Sequence, residues 1–201
     1  VSYNTINNND GSGVSHVNTL RGIYLNTALS ASATVTNNTL TLNFGGTTSQ
    51  QSVIENVSGA TAASNTITIS FNTIQNCVNN TGTTGIFYGI YSTASCANLN
   101  IEGNTFSGCT SKATSGATYM IRNSGAVAST LNINNNNLSF SFNNSAAYTG
   151  ATYSIYNSGG TTATNLNING NTFSNYTHTT ATGTGTLYYI YNTASCANVS
   201  L

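Results

Sequence analysis

A chain of 201 residues with 3% charged side chains and a formal net charge of zero has no basic footprint for a phosphate backbone, which excludes nucleic acid as a partner. Asn and Thr take the place of the missing charge, Pro and Trp are absent, and 38% of the residues are apolar. No apolar run approaches the roughly 18 residues that a membrane helix needs, and no signal peptide is visible from Val1 onward.

The apolar residues recur at fixed places rather than being scattered. VSYNTI opens at Val1, and the same pattern returns as VTNNTL at Val35, ISFNTI at Ile69, IEGNTF at Ile101, INNNNL at Ile133 and INGNTF at Ile168, with Leu201 in the next equivalent position. Successive starts are therefore 34, 34, 32, 32, 35 and 33 residues apart. A second motif follows each first one, as RGIYLN around Ile23, SVIENV around Ile54 and YGIYST around Ile90. It continues as YMIRNS around Ile121, YSIYNS around Ile155 and YYIYNT around Ile190.

Both motifs alternate with period two, the strand pattern. In LNIEGNTF, Leu99 and Ile101 are expected on one face and Asn100 and Glu102 on the other. No segment has the periodicity of an amphipathic helix, and Gly, Ser and Asn punctuate at short intervals. Short strands at a long fixed period predict a coil that stacks on copies of itself, each about 4.8 Å above the last. The expectation is one all-β domain over residues 1–201, a right-handed parallel β-helix with three sheet faces and about six coils of roughly 33 residues. Those coils start near residues 1, 35, 69, 101, 133 and 168.

Two columns give the stack its detail. Asn4, Asn38, Asn72, Asn104, Asn136 and Asn171 form a predicted amide ladder, in a position where Asn would also tolerate the left-handed geometry of a tight corner. Ile6, Leu40, Ile74, Phe106, Leu138 and Phe173 form a predicted core stack. Asn ladders at a corner between strands make the chain resemble the right-handed β-helix superfamily of pectate lyases, phage tailspikes and bacterial surface β-helix proteins. The resemblance spans the whole chain and implies architecture rather than activity. A 33-residue coil is longer than the superfamily's shorter ones, which places loops at Thr110–Thr118 and Thr177–Leu187. Because Val1 and Leu201 share one phase of the repeat, further coils of the same chain or a cap are expected beyond each end.

The lyases and hydrolases of that superfamily need clustered carboxylates and a base. Here Asp10, Glu55 and Glu102 share no column, so no catalytic residues, no cofactor and no metal are expected. Glu55 and Arg122 share a column two coils apart and read as solvated charges. His16 and His178 read as lone loop histidines, and NNNDGSG around Asp10 has too few carboxylates for calcium. Cys77 and Cys109 stand eight residues after adjacent motif starts, placing them side by side as either a disulfide or a thiol stack. Cys96 and Cys196, in equivalent TASCAN segments, read as small core residues.

The outward column Tyr24, Tyr91, Tyr156 and Tyr191 could contact sugar rings or simply cover the sheet, while Tyr88, Tyr119, Tyr153 and Tyr188 are assigned to wall packing. The functional expectation is a structural or adhesive segment of a secreted or cell-surface repeat protein: a stalk, filament or adhesin. Its partners would be surface polysaccharide or other surface proteins. The alternative is the non-catalytic part of a carbohydrate-processing β-helix enzyme. An ice-binding solenoid ranks third, for want of a regular Thr-x-Thr array in one column.

Overall fold

The computed structural model describes residues 1–8, 16–26, 32–59, 64–79, 83–142, 148–178 and 183–201. Asp10 and residues 9–13 of the NNNDGSG stretch lie outside the described residues, as does the middle of the Thr177–Leu187 stretch. Every described element is a strand, and every strand pairing is parallel. The chain is a parallel β-solenoid of about five turns of roughly 34 residues, close to the six coils of 33 expected.

Three sheets wall the coil. Sheet 1 has nine strands, built on Thr5–Asn7, Thr39–Thr41, Thr73–Gln75, Thr105–Ser107, Asn137–Phe142 and Thr172–His178. Sheet 2 has six: Leu20–Leu25, Gln51–Asn56, Phe87–Ser92, Thr118–Asn123, Thr152–Asn157 and Leu187–Asn192. Sheet 3 has six: Ala33–Thr36, Thr66–Ser70, Cys96–Glu102, Val127–Asn134, Asn165–Asn167 and Asn198–Ser200. The pairs Thr5↔Thr39, Thr39↔Thr73, Thr73↔Thr105, Thr105↔Asn137 and Asn137↔Thr172 reproduce the motif spacing residue for residue. The expected loops are shorter than the sequence suggested, because Thr110 belongs to strand Cys109–Ser111, Thr118 opens the next strand, and strand Thr172–His178 runs into the second stretch. Axial pairing with the neighbouring coil draws those residues into the sheets.

Inside the coil, Leu40, Ile74, Phe106 and Leu138 have no solvent exposure, while Ile6 and Phe173 pack against them from the outer coils. At the corner between sheets 3 and 1 the ladder runs from Asn4 to Asn171. Each member from Asn4 to Asn136 donates its backbone N–H and its amide N–H to Oδ1 of the next, at 2.9–3.1 Å. The amides also donate to backbone carbonyls of the preceding coil, as Asn104 does to Ile69 at 2.9 Å.

The left-handed corner residue is not the ladder Asn, as the sequence suggested, but its predecessor: Tyr3, Asn37, Phe71, Gly103, Asn135 and Gly170 all have φ between 54° and 65°. The ladder Asn must keep both its N–H and its side chain aimed along the axis, so the reversal falls one residue earlier. At Phe71 this imposes on a bulky residue a conformation that costs about 1–2 kcal/mol. Its ring lies over Gly103, where an added Cβ would come within 2.6 Å of it.

Replacing Asn104 by Ala should cost about 3 kcal/mol in chemical denaturation, because it leaves the Asn72 donors and the Ile69 carbonyl without partners. Asn104→Asp should not recover this, since a carboxylate cannot donate to Asn136. Gly103→Ala should cost more than about 1 kcal/mol, as it combines positive φ with the Phe71 contact.

Candidate functional site

Sheet 2 carries the feature that departs most from its surroundings. In an ordinary strand, neighbours point to opposite faces. Here Val53 and Ile54, and again Met120 and Ile121, are consecutive and both in the core. The pairs Tyr88↔Tyr119 and Ile90↔Ile121 keep the same offset on either side of Gly89 and Met120, so the register is unbroken and the side-chain alternation slips at the same height in every coil of the sheet. Gly89 stands on the inner side, where a Cβ would come within 2.2 Å of the Phe106 ring.

Two inward residues in succession leave the residues on either side both pointing outward. Tyr88, Tyr119, Tyr153 and Tyr188 are therefore not wall packing, as period two predicted, but a second outer column beside the first. Strict alternation misassigned them because it has no provision for two consecutive inward residues.

One column reads Arg21, Ser52, Tyr88, Tyr119, Tyr153, Tyr188, and the other Tyr24, Glu55, Tyr91, Arg122, Tyr156, Tyr191. Tyr88, Tyr119, Tyr153 and Tyr188 stack up the axis with ring centroids 5.1, 4.9 and 5.1 Å apart and planes within 14° of parallel. Tyr88 also stacks on Tyr91 across the rung at 4.1 Å. These rings turn their faces to one another; Tyr88 and Tyr119 are buried beneath their neighbours, and only Tyr153 and Tyr188 keep part of their edges in solvent. Such a surface supplies hydrogen bonds and edge contacts rather than open platforms for sugar rings.

Three of the six charged side chains sit in this face. Glu55 is not a solvated charge, as its column position suggested: it is 4% exposed and accepts from Arg21 Nε at 2.7 Å and from Gln50 at 3.2 Å. Arg21 stands in the neighbouring column, so inspection of Glu55's own column could not reveal it. Arg122 is likewise enclosed, its guanidinium 4.8–5.6 Å from the ring centres of Tyr88, Tyr91, Tyr119 and Tyr156 while donating to the Tyr88 hydroxyl at 2.8 Å. Tyrosine faces are electron-rich, so the cation is held without a carboxylate. Burial pushes the Tyr88 phenol up to about 12, and it raises Tyr119 and Tyr153 in the same direction.

The remaining candidates are placed as follows. Cys77 and Cys109 are buried free thiols in neighbouring coils, with Thr110 N–H donating to the Cys77 carbonyl at 2.8 Å. Burial holds the Cys77 thiol well above its ordinary range. Cys96 is buried, with its thiol pushed up to about 11, whereas Cys196 is partly exposed. His16 is exposed and bridges Phe44 through its backbone. The side chain of His178 lies outside the described residues. Glu102 is on sheet 3 and Glu55 on sheet 2. No group of three or more potential metal ligands occurs among the described residues, and they contain no helix long and apolar enough to cross a membrane.

Sequence inspection missed a second ladder at the far end of sheet 2, where Asn123 donates to Asn157 at 2.9 Å and Asn157 to Asn192 at 2.8 Å. The signal was present in the second motif, as the Asn two residues after its central Ile.

Because the raised tyrosines and thiols are protonated in the folded state, their contribution to stability is complete below their unfolded values and is lost as pH rises through the folded ones. The fold should hold to about pH 9–10 and weaken from there toward pH 12, with the tyrosinate absorbance of Tyr88, Tyr119 and Tyr153 rising late and together with loss of circular dichroism. Early titration of Tyr88, Tyr119 and Tyr153 in a folded chain, read as the signal lost in their Phe variants, would contradict the packing. Alkylation of the native protein should label Cys196 first, with Cys77, Cys96 and Cys109 reacting on unfolding.

Comparison with protein-family models, with curated proteins and with solved structures finds no match to this chain.

Proposed function

We propose that this chain is a rigid structural or adhesive segment of a secreted or cell-surface repeat protein, a stalk, filament or adhesin akin to the surface members of the right-handed β-helix superfamily. The observation that carries this reading is the unbroken axial bonding. Three sheets and the Asn4–Asn171 ladder tie every coil to the next, with the same residue type returning at the same height. A solenoid bonded in this way resists bending and offers each outward residue as a repeated unit. Repeated weak contacts along a stiff rod gain avidity without any deep pocket.

The chemistry of the outer faces supports contact rather than catalysis. Glu55 is engaged by Arg21, and Glu102 is on another sheet, bonded by Asn134 at 3.0 Å. Neither has a second carboxylate beside it among the described residues, as acid-base cleavage of a glycosidic bond would require. The outer hydroxyls and amides suit surface polysaccharide or other surface proteins as partners.

The test is labelling of intact source cells with an antibody raised against this chain. Surface label on unpermeabilised cells, lost after mild external proteolysis, is the expected outcome. Label appearing only after permeabilisation would overturn the reading. Incubation of the chain with soluble polysaccharides should release no new reducing ends.

A further inference from the structure

Sheet 3 presents a second outer face, built quite differently from the tyrosine face. Its central column reads Thr34, Thr68, Asn100, Asn132, Asn167, Ser200, and all six side chains are partly or fully exposed. Beneath it Val35, Ile67, Ile69, Leu99, Ile101, Leu131 and Ile133 are fully buried, so the sheet lies on a packed floor. Rungs repeat about every 4.8 Å, and outward residues two apart in a strand stand about 6.6 Å apart, which makes an even grid.

The amides of this column are already oriented. Asn132 donates to Asn100 Oδ1 at 2.9 Å, and Asn167 donates to Asn132 Oδ1 at 2.8 Å. An amide has two N–H donors and two lone pairs. The axial bonds use one of each at Asn132, which leaves the second N–H and the second lone pair for a partner. One donor and one acceptor at Asn132, and the hydroxyls of Thr34, Thr68 and Ser200 at the flanking rungs, are the complement of hydroxyl groups, which are themselves both. The central column carries no charge, and Glu102, two residues beyond Asn100 at the edge of this face, is engaged by the Asn134 amide at 3.0 Å, so the column itself has no preference for an ionic partner.

We infer that the outer face of sheet 3 binds a neutral, ordered polysaccharide surface, the glycan chains running along the solenoid axis with hydroxyls meeting the Asn and Thr side chains rung by rung. This rests on the glycan-contact part of the proposed function and moves that contact from sheet 2 to sheet 3. The tyrosine rings have turned their faces to each other, whereas the sheet 3 amides keep free valences outward. Because their rotamers are held by axial bonds, little side-chain entropy is lost on docking. The mixed Thr, Asn and Ser lengths suit hydroxyls of a sugar chain better than the uniform plane of an ice lattice.

The experiment measures depletion of the full chain from solution by microcrystalline cellulose. The wild type should partition onto the solid. Thr68→Lys/Thr130→Lys, which adds bulk and charge to the central column and to the column beside it, where Thr130 pairs with Asn98 and Asn165, should bind about tenfold more weakly or worse with an unchanged melting temperature. If that pair fails to fold, Thr34→Lys at the exposed end of the column should show the same direction. Tyr156→Ser/Tyr191→Ser on sheet 2 should bind like the wild type. Absence of wild-type depletion, or full binding by the lysine variants, overturns the inference. Loss of binding in the tyrosine variant also overturns it, while leaving a glycan-contact role for sheet 2. Self-association in sedimentation velocity that the lysine variants abolish would make the face an interface between copies. Inhibition of ice recrystallisation by the wild type without cellulose binding would refute the partner. None of these outcomes bears on cell-surface location, which the antibody labelling decides separately.

Discussion

A buried primary amide must satisfy two donors and two acceptor lone pairs, and in a narrow coil the only groups within reach are those of the coils above and below. Asn104 meets all four. Its amide donates to Ile69 O and Asn136 Oδ1, and its Oδ1 accepts from both the backbone N–H and the amide of Asn72. Asn72 and Asn136 do the same one coil away on either side. Leaving any of these groups unpaired would cost about 1–3 kcal/mol, so the ladder permits one axial register and penalises every other. The three sheets, the stacked core and the outward columns all inherit that register.

The left-handed residue before each ladder Asn follows from the same constraint. The chain must turn from sheet 3 into sheet 1 without rotating the ladder amide away from the axis, and a single positive φ achieves this. Gly103, Gly170, Asn37 and Asn135 take that conformation readily. Phe71 and Tyr3 do not, and both are large exposed hydrophobics, which shows that the ladder outweighs local preference at these corners. The outer faces then diverge by side-chain type. Where Tyr recurs the rings stack on one another and enclose Arg122, and where Asn recurs the amides join into hydrogen-bonded rows.

The register was legible in the sequence, because each coil must present its Asn and its apolar residue at the same height, which forces the motif spacing to equal the strand pairing. The buried column from Leu40 to Leu138 was legible for the same reason. Two things were not. Two consecutive inward residues, Val53 and Ile54 or Met120 and Ile121, change which neighbours face out, and period-two reading has no means of detecting them; hence the misplacement of Tyr88 and its column. The Arg21–Glu55 pair runs diagonally between columns, so alignment by column separated two residues that the sheet brings to 2.7 Å. The second ladder at Asn123, Asn157 and Asn192 could have been read from the motif, but its role depends on the corner that follows it.

The central claim is that side-chain amides, and not strand pairing alone, lock one coil to the next. Native-state hydrogen exchange at the backbone N–H groups of Asn38, Asn72 and Asn104 tests this most directly, since each of these donates to a side-chain oxygen of the neighbouring coil rather than to a backbone carbonyl. The account predicts protection equal to that of the sheet amides of Ile69 and Ile101, with Asn72 alone among the three losing it when Asn104 is replaced by Ala. Rapid exchange at these positions in an otherwise protected chain would contradict it.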